Sequence, residues 1–249
     1  MNRFLSAGKV LVVAEIGNNH EGDFELAMEM VRTAAECGVD AVKFQTFKTR
    51  YFVSQLDPAR YQRMSSFELS FGQFEKLQSL AKSLGLLFVS TPLDLPSAEF
   101  LNGLVDFYKI ASGDNTFWPL IEVVSKTGKP IVLSTGLAGS EQVIRSKEFI
   151  EQHWRDVDCS SNLAVLHCVS SYPVPIDQAN LASISFLRKQ LDCIIGYSDH
   201  TLGISACITA AALGAAIIEK HFTLDKQHSD FRDHQLSADP REMKELVEN

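Results

Sequence analysis

The alternation of short apolar runs with amphipathic stretches is the feature that most constrains the fold of this chain. Eight runs rich in β-branched and aromatic residues recur, at 10–15, 41–45, 86–91, 107–112, 130–135, 163–168, 193–198 and 216–221. Stretches of helical periodicity lie between them, and two of these, 24–38 and 70–85, end on glycine, which commonly follows the last turn of a helix. Strand and helix repeated at this spacing predict parallel βαβ units.

The number of units then selects the architecture. About eight units in 249 residues fit a closed (β/α)₈ TIM barrel, an α/β fold that takes about 250 residues as a single core. We therefore predict one barrel domain over 1–249. An open, doubly wound sheet is the alternative.

Composition limits the classes of partner. The net charge of −8 argues against a nucleic-acid or anionic-membrane surface, because both need a basic face; a small anionic substrate remains compatible with it. Five scattered cysteines without a CxxC pair indicate reduced thiols. The N-terminal apolar run "VLVVA" is too short for a signal-peptide core, and no run reaches the roughly 18–20 apolar residues of a membrane span. We expect a cytoplasmic protein.

One connection is unusually long. Twenty-five residues, 46–70, separate the second run from the next helical stretch. Loops of this length inside a domain are usually functional or carry structure of their own, so we expect an elaborated loop over the barrel mouth.

Polar residues end every predicted strand. Barrel active sites lie where the carboxyl ends of the strands converge, while the opposite ends here carry ordinary turn sequences such as "GKP". The polar strand ends are Glu15, Lys43, Gln45, Ser90, Thr91, Lys109, Ser112, Ser134, Thr135, His167, Ser198, Asp199, His200, Glu219, Lys220 and His221. This difference between the two ends of the strands predicts an active site at the carboxyl ends.

Residues two apart share a face of a strand, and this parity sorts the candidates. His200 and His221 end adjacent strands and could hold a catalytic divalent metal with open positions; the alternative is two hydrogen-bonded core histidines. Consecutive residues of a strand face opposite ways, so His167 and Cys168 are not expected to form a catalytic dyad. The neighbours of Lys220 face inward, so Lys220 is expected to point to the outer layer.

The two strand-end lysines have three interpretations. Lys43 and Lys109 can clamp a phosphate or carboxylate together with nearby serine hydroxyls, or one can be a Schiff-base lysine. Ion pairs with Glu15 or Glu219 are the structural alternative. His20, in the turn after the first strand, is expected to organise that loop by hydrogen bonding.

Eight collinear segments resemble the sialic acid synthase family, whose members join phosphoenolpyruvate to an acylamino sugar. The segments are "AEIGNNHEGD", "AVKFQTFK", "FVSTPLD", "YKIASGDN", "IVLSTG", "LHCVSSYP", "GYSDHTLG" and "EKHFTLDK". The resemblance runs from residue 10 to the end of the sequence.

The resemblance implies roles for particular residues. It assigns a divalent metal, Mn²⁺ or Mg²⁺, to His200 and His221. It places the catalytic candidate Glu15 near the reacting centre and the catalytic candidate Glu219 around the sugar and metal. The segment "FRDH" stands where the family has Gly-Pro-Asp-His, so Asp233 matches the family's aspartate and Arg232 is a candidate contact. The implied substrate-binding residues are Lys43, Gln45, Thr91, Lys109, Ser112, Ser134, Ser170, Tyr172 and Ser198.

The sequence departs from the family pattern at its end and in one loop. Family members carry a C-terminal antifreeze-like domain that reaches across a dimer, whereas this sequence stops at "PREMKELVEN". We expect either a truncated chain or a natural barrel-only protein, which leaves a homodimer and a monomer both open. The 46–70 loop, which helps select the sugar, also differs.

Three functions follow from these observations. The first is a metal-dependent synthase that condenses phosphoenolpyruvate with an N-acylmannosamine-like or related sugar to give a nonulosonic acid. The second is a barrel that binds metabolites or a partner chain without turnover. The third is a Schiff-base pyruvate aldolase.

Overall fold

The eight predicted runs form a closed barrel of eight parallel strands in the order β1 to β8. The computed structural model describes residues 9–157 and 162–249. Its strands are β1 (Leu11–Gly17), β2 (Ala41–Thr46), β3 (Leu87–Pro92), β4 (Phe107–Ile110), β5 (Ile131–Ser134), β6 (Leu163–Cys168), β7 (Ile194–Asp199) and β8 (Ile217–His221). Because β1 pairs with both β2 and β8, the sheet is closed, and the doubly wound alternative is wrong.

Helices cover the outside of the barrel and one of its connections. They are α1 (Phe24–Glu36), α2 (Thr49–Phe52), α3 (Pro58–Phe67), α4 (Phe71–Ser83), α5 (Leu95–Leu101), α6 (Trp118–Ser125), α7 (Ser140–Asp156), α8 (Ala182–Gln190), α9 (Ser205–Ala212), α10 (Asp233–Leu236) and α11 (Pro240–Glu248). The glycines predicted to follow α1 and α4 are Gly38 and Gly85, with φ of +83° and +78°, the left-handed conformation that favours glycine at this position.

Side chains fill the barrel by strand parity. The inward positions form one cluster, which holds Leu11, Val13, Ala41, Val89, Phe107, Val132, Ala164, Leu166 and Ile217. The outward positions pack against the helices in the larger core. At Gly196 a Cβ atom would lie 2.5 Å from Leu166 Cδ2 and 2.6 Å from the Ile217 carbonyl oxygen, so β7 packs too closely against its neighbours to carry a side chain there.

The long 46–70 connection carries α2 and α3, which confirms that it has structure of its own. A small separate apolar cluster of Phe47, Val53, Met64 and Phe67 holds these helices together. Phe231, from the segment after β8, packs edge-on against Phe67 with ring centroids 5.2 Å apart. The connection therefore packs against the segment after β8 through Phe67.

The cysteines that the structure describes are unpaired, as the sequence predicted. Cys37, Cys168, Cys193 and Cys207 are free thiols, while Cys159 lies outside the described residues. None of the helices described is both long and apolar enough to cross a membrane.

Candidate active site

The inward face of each strand changes from apolar to polar toward its carboxyl end. Two positions beyond the apolar layer, the same faces carry buried polar or ionisable side chains. These side chains are Glu15, Lys43, Thr91, Lys109, Ser134, Cys168, Ser198 and Glu219. Strand register places Glu15 beside Lys43 on one side and beside His221 on the other. A continuous polar layer therefore closes the top of the barrel.

Four charged side chains form the centre of this layer. Lys43 Nζ lies 2.8 Å from Glu15 Oε2 and 3.7 Å from Glu219 Oε1, and Lys109 Nζ lies 3.2 Å from Glu219 Oε1. The Ser198 hydroxyl also donates to Glu219 Oε1, at 2.9 Å. The ion pairs named as the structural interpretation of the lysines thus form, and both lysines line the cavity at this end of the barrel.

Burial and neighbouring charges set the protonation of this layer. Burial alone would raise the pKa of Glu219, but Lys109 and Lys43 outweigh it and lower that pKa to about 2. Burial raises the pKa of Glu15 despite the opposing charge of Lys43. The same burial lowers the pKa of Lys109, which Glu219 only partly offsets. Glu219 is therefore the firmly ionised carboxylate, and Glu15 takes up a proton more readily.

His200 and His221 face each other across β7 and β8, with ring centroids 5.5 Å apart. His200 Nδ1 lies 2.8 Å from the Val169 carbonyl oxygen, so it carries the proton and leaves Nε2 as an electron-pair donor. Burial lowers the pKa of His200 to about 4 and that of His221 well below its usual value. Both rings are neutral, which is the form that binds a metal.

Hydroxyl groups surround the lysines on the side of β4 to β6. Gly136 N–H donates to Ser112 Oγ at 3.0 Å, and a Cβ atom at Gly136 would lie 2.2 Å from Ser170 Oγ and 2.7 Å from Ser112 Oγ. Ser134 Oγ is buried and has no hydrogen-bond partner among the described residues. These groups form a cluster of donors near two ammonium groups, which suits a phosphate or carboxylate.

All but one of the sequence-predicted site residues line a single cavity of about 580 Å³. Its predicted residues are Glu15, Lys43, Gln45, Thr91, Lys109, Ser112, Ser134, Ser170, Tyr172, Ser198, His200, Glu219 and His221. Asp233 instead lines an adjoining cavity of about 490 Å³, which shares Gln45, Tyr172, His221 and Arg232 with the first. The Arg232 guanidinium lies 4.6 Å from the Tyr172 ring centroid, at the boundary of the two cavities.

Several polar strand ends turn away from the cavity, as parity requires. His167 Nε2 contacts the Ala179 carbonyl oxygen at 2.8 Å, and Ser90 donates to the Phe44 carbonyl oxygen. Lys220 pairs with Asp199 in the outer layer, with Nζ 2.7 Å from Oδ2 and both side chains fully buried. The outward position of Lys220 is the one that parity predicted.

The loops bring in residues that strand-end reasoning missed. Arg60 of α3 lines both cavities, and Arg63 lines the outer one. Asp114 lines the inner cavity, and burial raises its pKa to about 6. Only the unusual length of the 46–70 connection pointed to the arginines. Cys168 was inward by parity but had been considered only as a partner of His167.

His20 has the role expected of it. Gly22 N–H donates to His20 Nδ1 at 3.0 Å, which holds the turn after β1. Gly22 itself has a φ of +87°. The following residue, Asp23, accepts from the Leu26 amide and begins α1.

Comparison with known proteins gives concordant matches. The sequence profile of the NeuB family matches residues 30–249. An uncharacterised protein of Methanocaldococcus jannaschii is 45% identical over 100% of this chain and 72% of its own length. The N,N'-diacetyllegionaminic acid synthase of Campylobacter jejuni is 38% identical over 96% of this chain and 74% of its length.

A solved structure agrees in fold. The N-acetylneuraminic acid (sialic acid) synthetase of Leptospira borgpetersenii, crystallised with citrate, superposes with a TM-score of 0.89 at 33% identity. The superposition covers 97% of this chain and 82% of that one.

Proposed function

The chain belongs to the NeuB family, and we propose that it condenses phosphoenolpyruvate with an acylamino sugar to give a nonulosonic acid and phosphate. The observation that carries this proposal is the composition of the inner cavity. Two buried lysines and a group of hydroxyls lie in the same cavity as two neutral, facing imidazoles. This combination provides an anion site beside a metal site, as the reaction needs.

Phosphoenolpyruvate would occupy the floor of the inner cavity. Lys43 and Lys109 can hold its phosphate and carboxylate, since both ammonium groups line the cavity and charge-assisted hydrogen bonds to such groups are strong. Ser134 at the end of β5, with Ser112 and Ser170 from the loops after β4 and β6, supplies hydroxyl donors. Glu15 and Glu219 raise the pKa of Lys43 despite its burial, whereas burial lowers the pKa of Lys109 despite the charge of Glu219.

The histidine pair fits a divalent metal. The His221 Nδ1 atom is buried without a hydrogen-bond partner in the described chain, and the His200 tautomer leaves Nε2 free to donate an electron pair. Two imidazoles suit a transition ion such as Mn²⁺ better than Mg²⁺, which prefers oxygen. Held there, the ion would act as a Lewis acid that polarises the aldehyde of the open-chain sugar.

The proposed reaction then needs one proton acceptor. C3 of phosphoenolpyruvate bonds to the aldehyde carbon, whose oxygen takes up a proton and becomes a hydroxyl. Water adds at C2 and gives up one proton, which balances the one taken up by the aldehyde oxygen. The C2–O bond to phosphate then breaks, and the second water proton passes to the departing phosphate as the C2 hydroxyl becomes a ketone. We assign the first water-derived proton to Glu15, because its raised pKa suits a group that accepts a proton during turnover.

The acceptor sugar would extend into the outer cavity. Gln45 and Tyr172 line both cavities and can contact the sugar where it meets phosphoenolpyruvate. Burial raises the pKa of Asp233 despite the neighbouring Arg232, and these two residues lie where the distal end of the sugar would be. In this role Arg232 would place a guanidinium beside the distal end of the sugar.

A phosphate-release assay over several acylamino sugars tests this proposal. Release should require phosphoenolpyruvate, a sugar and Mn²⁺ together, and His200→Ala should abolish it. His153→Ala is the matched control, because that histidine lies on α7, where its Nδ1 contacts the Phe149 carbonyl oxygen. Undiminished release in His200→Ala would contradict the proposal.

The lowered pKa of Lys109 is the one observation that favours an imine-forming aldolase instead. Covalent trapping of pyruvate on the protein by borohydride would support the aldolase. Tight phosphoenolpyruvate binding with no release for any sugar would indicate the non-catalytic barrel.

A further inference from the structure

We propose that Glu21, His228 and His234 form a second divalent-metal site, separate from the barrel cavity, which takes Zn²⁺ or a similar ion. Their ligand atoms all lie within 4.8 Å of one another, and they are the one such group of three in residues 9–157 and 162–249. Glu21 lies in the turn between β1 and α1, and the two histidines lie after β8. A bound ion would join these two segments.

The three side chains converge on one carboxylate oxygen. Glu21 Oε1 lies 3.0 Å from His234 Nε2 and 4.0 Å from His228 Nε2. The two imidazole rings are 5.2 Å apart at their centroids. The Ser229 hydroxyl donates to the same Glu21 oxygen and accepts from the Phe231 amide at 3.0 Å, so the carboxylate is held in place by its surroundings.

The hydrogen bonds of Thr223 indicate that His234 carries a proton on Nδ1. The Thr223 hydroxyl donates to the Asp225 carbonyl oxygen at 3.0 Å and lies 2.8 Å from His234 Nδ1. A hydroxyl has one proton, so with that proton on Asp225 the Nδ1–H of His234 must donate to Thr223.

The other ring nitrogen, His234 Nε2, lies 3.0 Å from Glu21 Oε1. Either an Nε2–H or a metal cation lies between a ring nitrogen and a carboxylate oxygen at that distance. With a metal cation there, His234 would donate its other N–H to an oxygen, as metal-bound histidines usually do.

The ligand set indicates the class of ion. Two imidazole nitrogens and one carboxylate oxygen are a combination that zinc binds tetrahedrally, with the fourth position left to water. His228 is partly exposed, with 43% of its side chain accessible, so an ion can reach the site from solvent. His234 is fully buried and fixes the inner side.

Such an ion would order the rim of the proposed active site. His234 directly follows Arg232 and Asp233, which line the outer cavity. Phe231, three residues before His234, packs against Phe67 of α3. Tying His234 to Glu21 therefore restrains the segment that places these rim residues.

Zinc binding to the full-length protein tests the inference. The background is His200→Ala/His221→Ala, which removes the proposed barrel metal, and Zn²⁺ is titrated against a chromophoric chelator. We expect this variant to bind one equivalent at micromolar free Zn²⁺. Adding His228→Gln should weaken Zn²⁺ binding at least about tenfold. Losing a residue that only hydrogen-bonds to a metal ligand already costs about that much, and losing a ligand itself should cost no less. Adding His153→Gln, the matched control, should change nothing.

Two results would overturn the inference. One is that the background variant binds no Zn²⁺ in this range. The other is that His228→Gln and Glu21→Gln each leave binding unchanged, which would place the ion elsewhere, for example on the cysteines. Replacing Zn²⁺ by Co²⁺ gives a second readout by visible absorption. We expect the spectrum of a tetrahedral ion without a thiolate-to-metal charge-transfer band, which would be present if cysteines bound the ion. Circular dichroism verifies that each variant is folded, and none of these readouts depends on the proposed reaction.

Discussion

Glu219→Gln tests the charge balance at the centre of the barrel. The substitution keeps the shape of the side chain but removes the carboxylate that contacts Lys109, Lys43 and Ser198. The folded protein lowers the pKa of Glu219 from 4.5 to about 2. At about 1.4 kcal/mol per pKa unit, the ionised form contributes roughly 3 kcal/mol to the free energy of unfolding at neutral pH.

The pH dependence has a defined sign. Because the folded-state pKa is depressed, this contribution is present above the unfolded-state pKa of 4.5 and is lost as the pH falls toward about 2. Wild type and variant should therefore differ most at neutral pH and converge in acid. Lys109 limits the loss, because its pKa is already lowered and it can release its proton when its partner is removed.

Urea unfolding with and without phosphoenolpyruvate measures both effects. The ligand-free variant should lose up to roughly 3 kcal/mol at neutral pH. It should gain at least as much stability from phosphoenolpyruvate as wild type, since neither lysine is then paired with Glu219. Glu122→Gln, which breaks an exposed ion pair with Lys126, is the control and should change neither quantity measurably. An unaltered ligand-free stability would refute the assigned charge balance, and a lost ligand response would refute the anion site.

Three further changes have defined outcomes. Gly136→Ala should raise the KM for phosphoenolpyruvate at least about tenfold, the equivalent of one hydrogen bond to a charged group, because its Cβ would displace two serine hydroxyls; an equal rise in the acceptor's KM would contradict this. Burial raises the pKa of Asp114 from 3.8 to about 6, so stability falls as the pH rises through that range. Thermal unfolding should show Asp114→Asn more stable than wild type above pH 6 and equal to it below pH 3.8. Lys220→Met should cost about 3–5 kcal/mol of unfolding free energy by leaving the Asp199 carboxylate buried and unpaired. Asp199→Asn/Lys220→Met should recover most of it, and equal losses in both would disprove the pairing.

Strand parity explains why much of the site could be predicted from the sequence. Lys43 and Gln45 occupy alternate positions of one short run, as do Glu219 and His221, so each pair projects to one face wherever the strand lies. Parallel strands then bring their carboxyl ends together. Predicting these site residues therefore needed only the alternation of side chains along each strand and the order of strands and helices along the chain.

Loop-borne contacts could not be predicted in this way. Arg60 reaches the cavity because α3 folds back over the barrel, a path that no periodicity specifies. Asp233 lies in the outer cavity because the segment after β8 packs on α3 through Phe231. The approach of Glu21 to His234 joins positions 213 residues apart, which no local pattern encodes.

The closure of the barrel by its last strand constrains the order of events during synthesis. Glu219 and His221 lie on β8, and Asn19 binds the Phe222 carbonyl oxygen across 203 residues of sequence. A nascent chain that has made only β1 to β7 holds Lys43 and Lys109 together with only one of the two carboxylates that balance them. Repulsion between the two ammonium groups then opposes packing of the upper layer until β8 leaves the ribosome. The assembly of the charged layer is thereby coupled to the completion of the barrel.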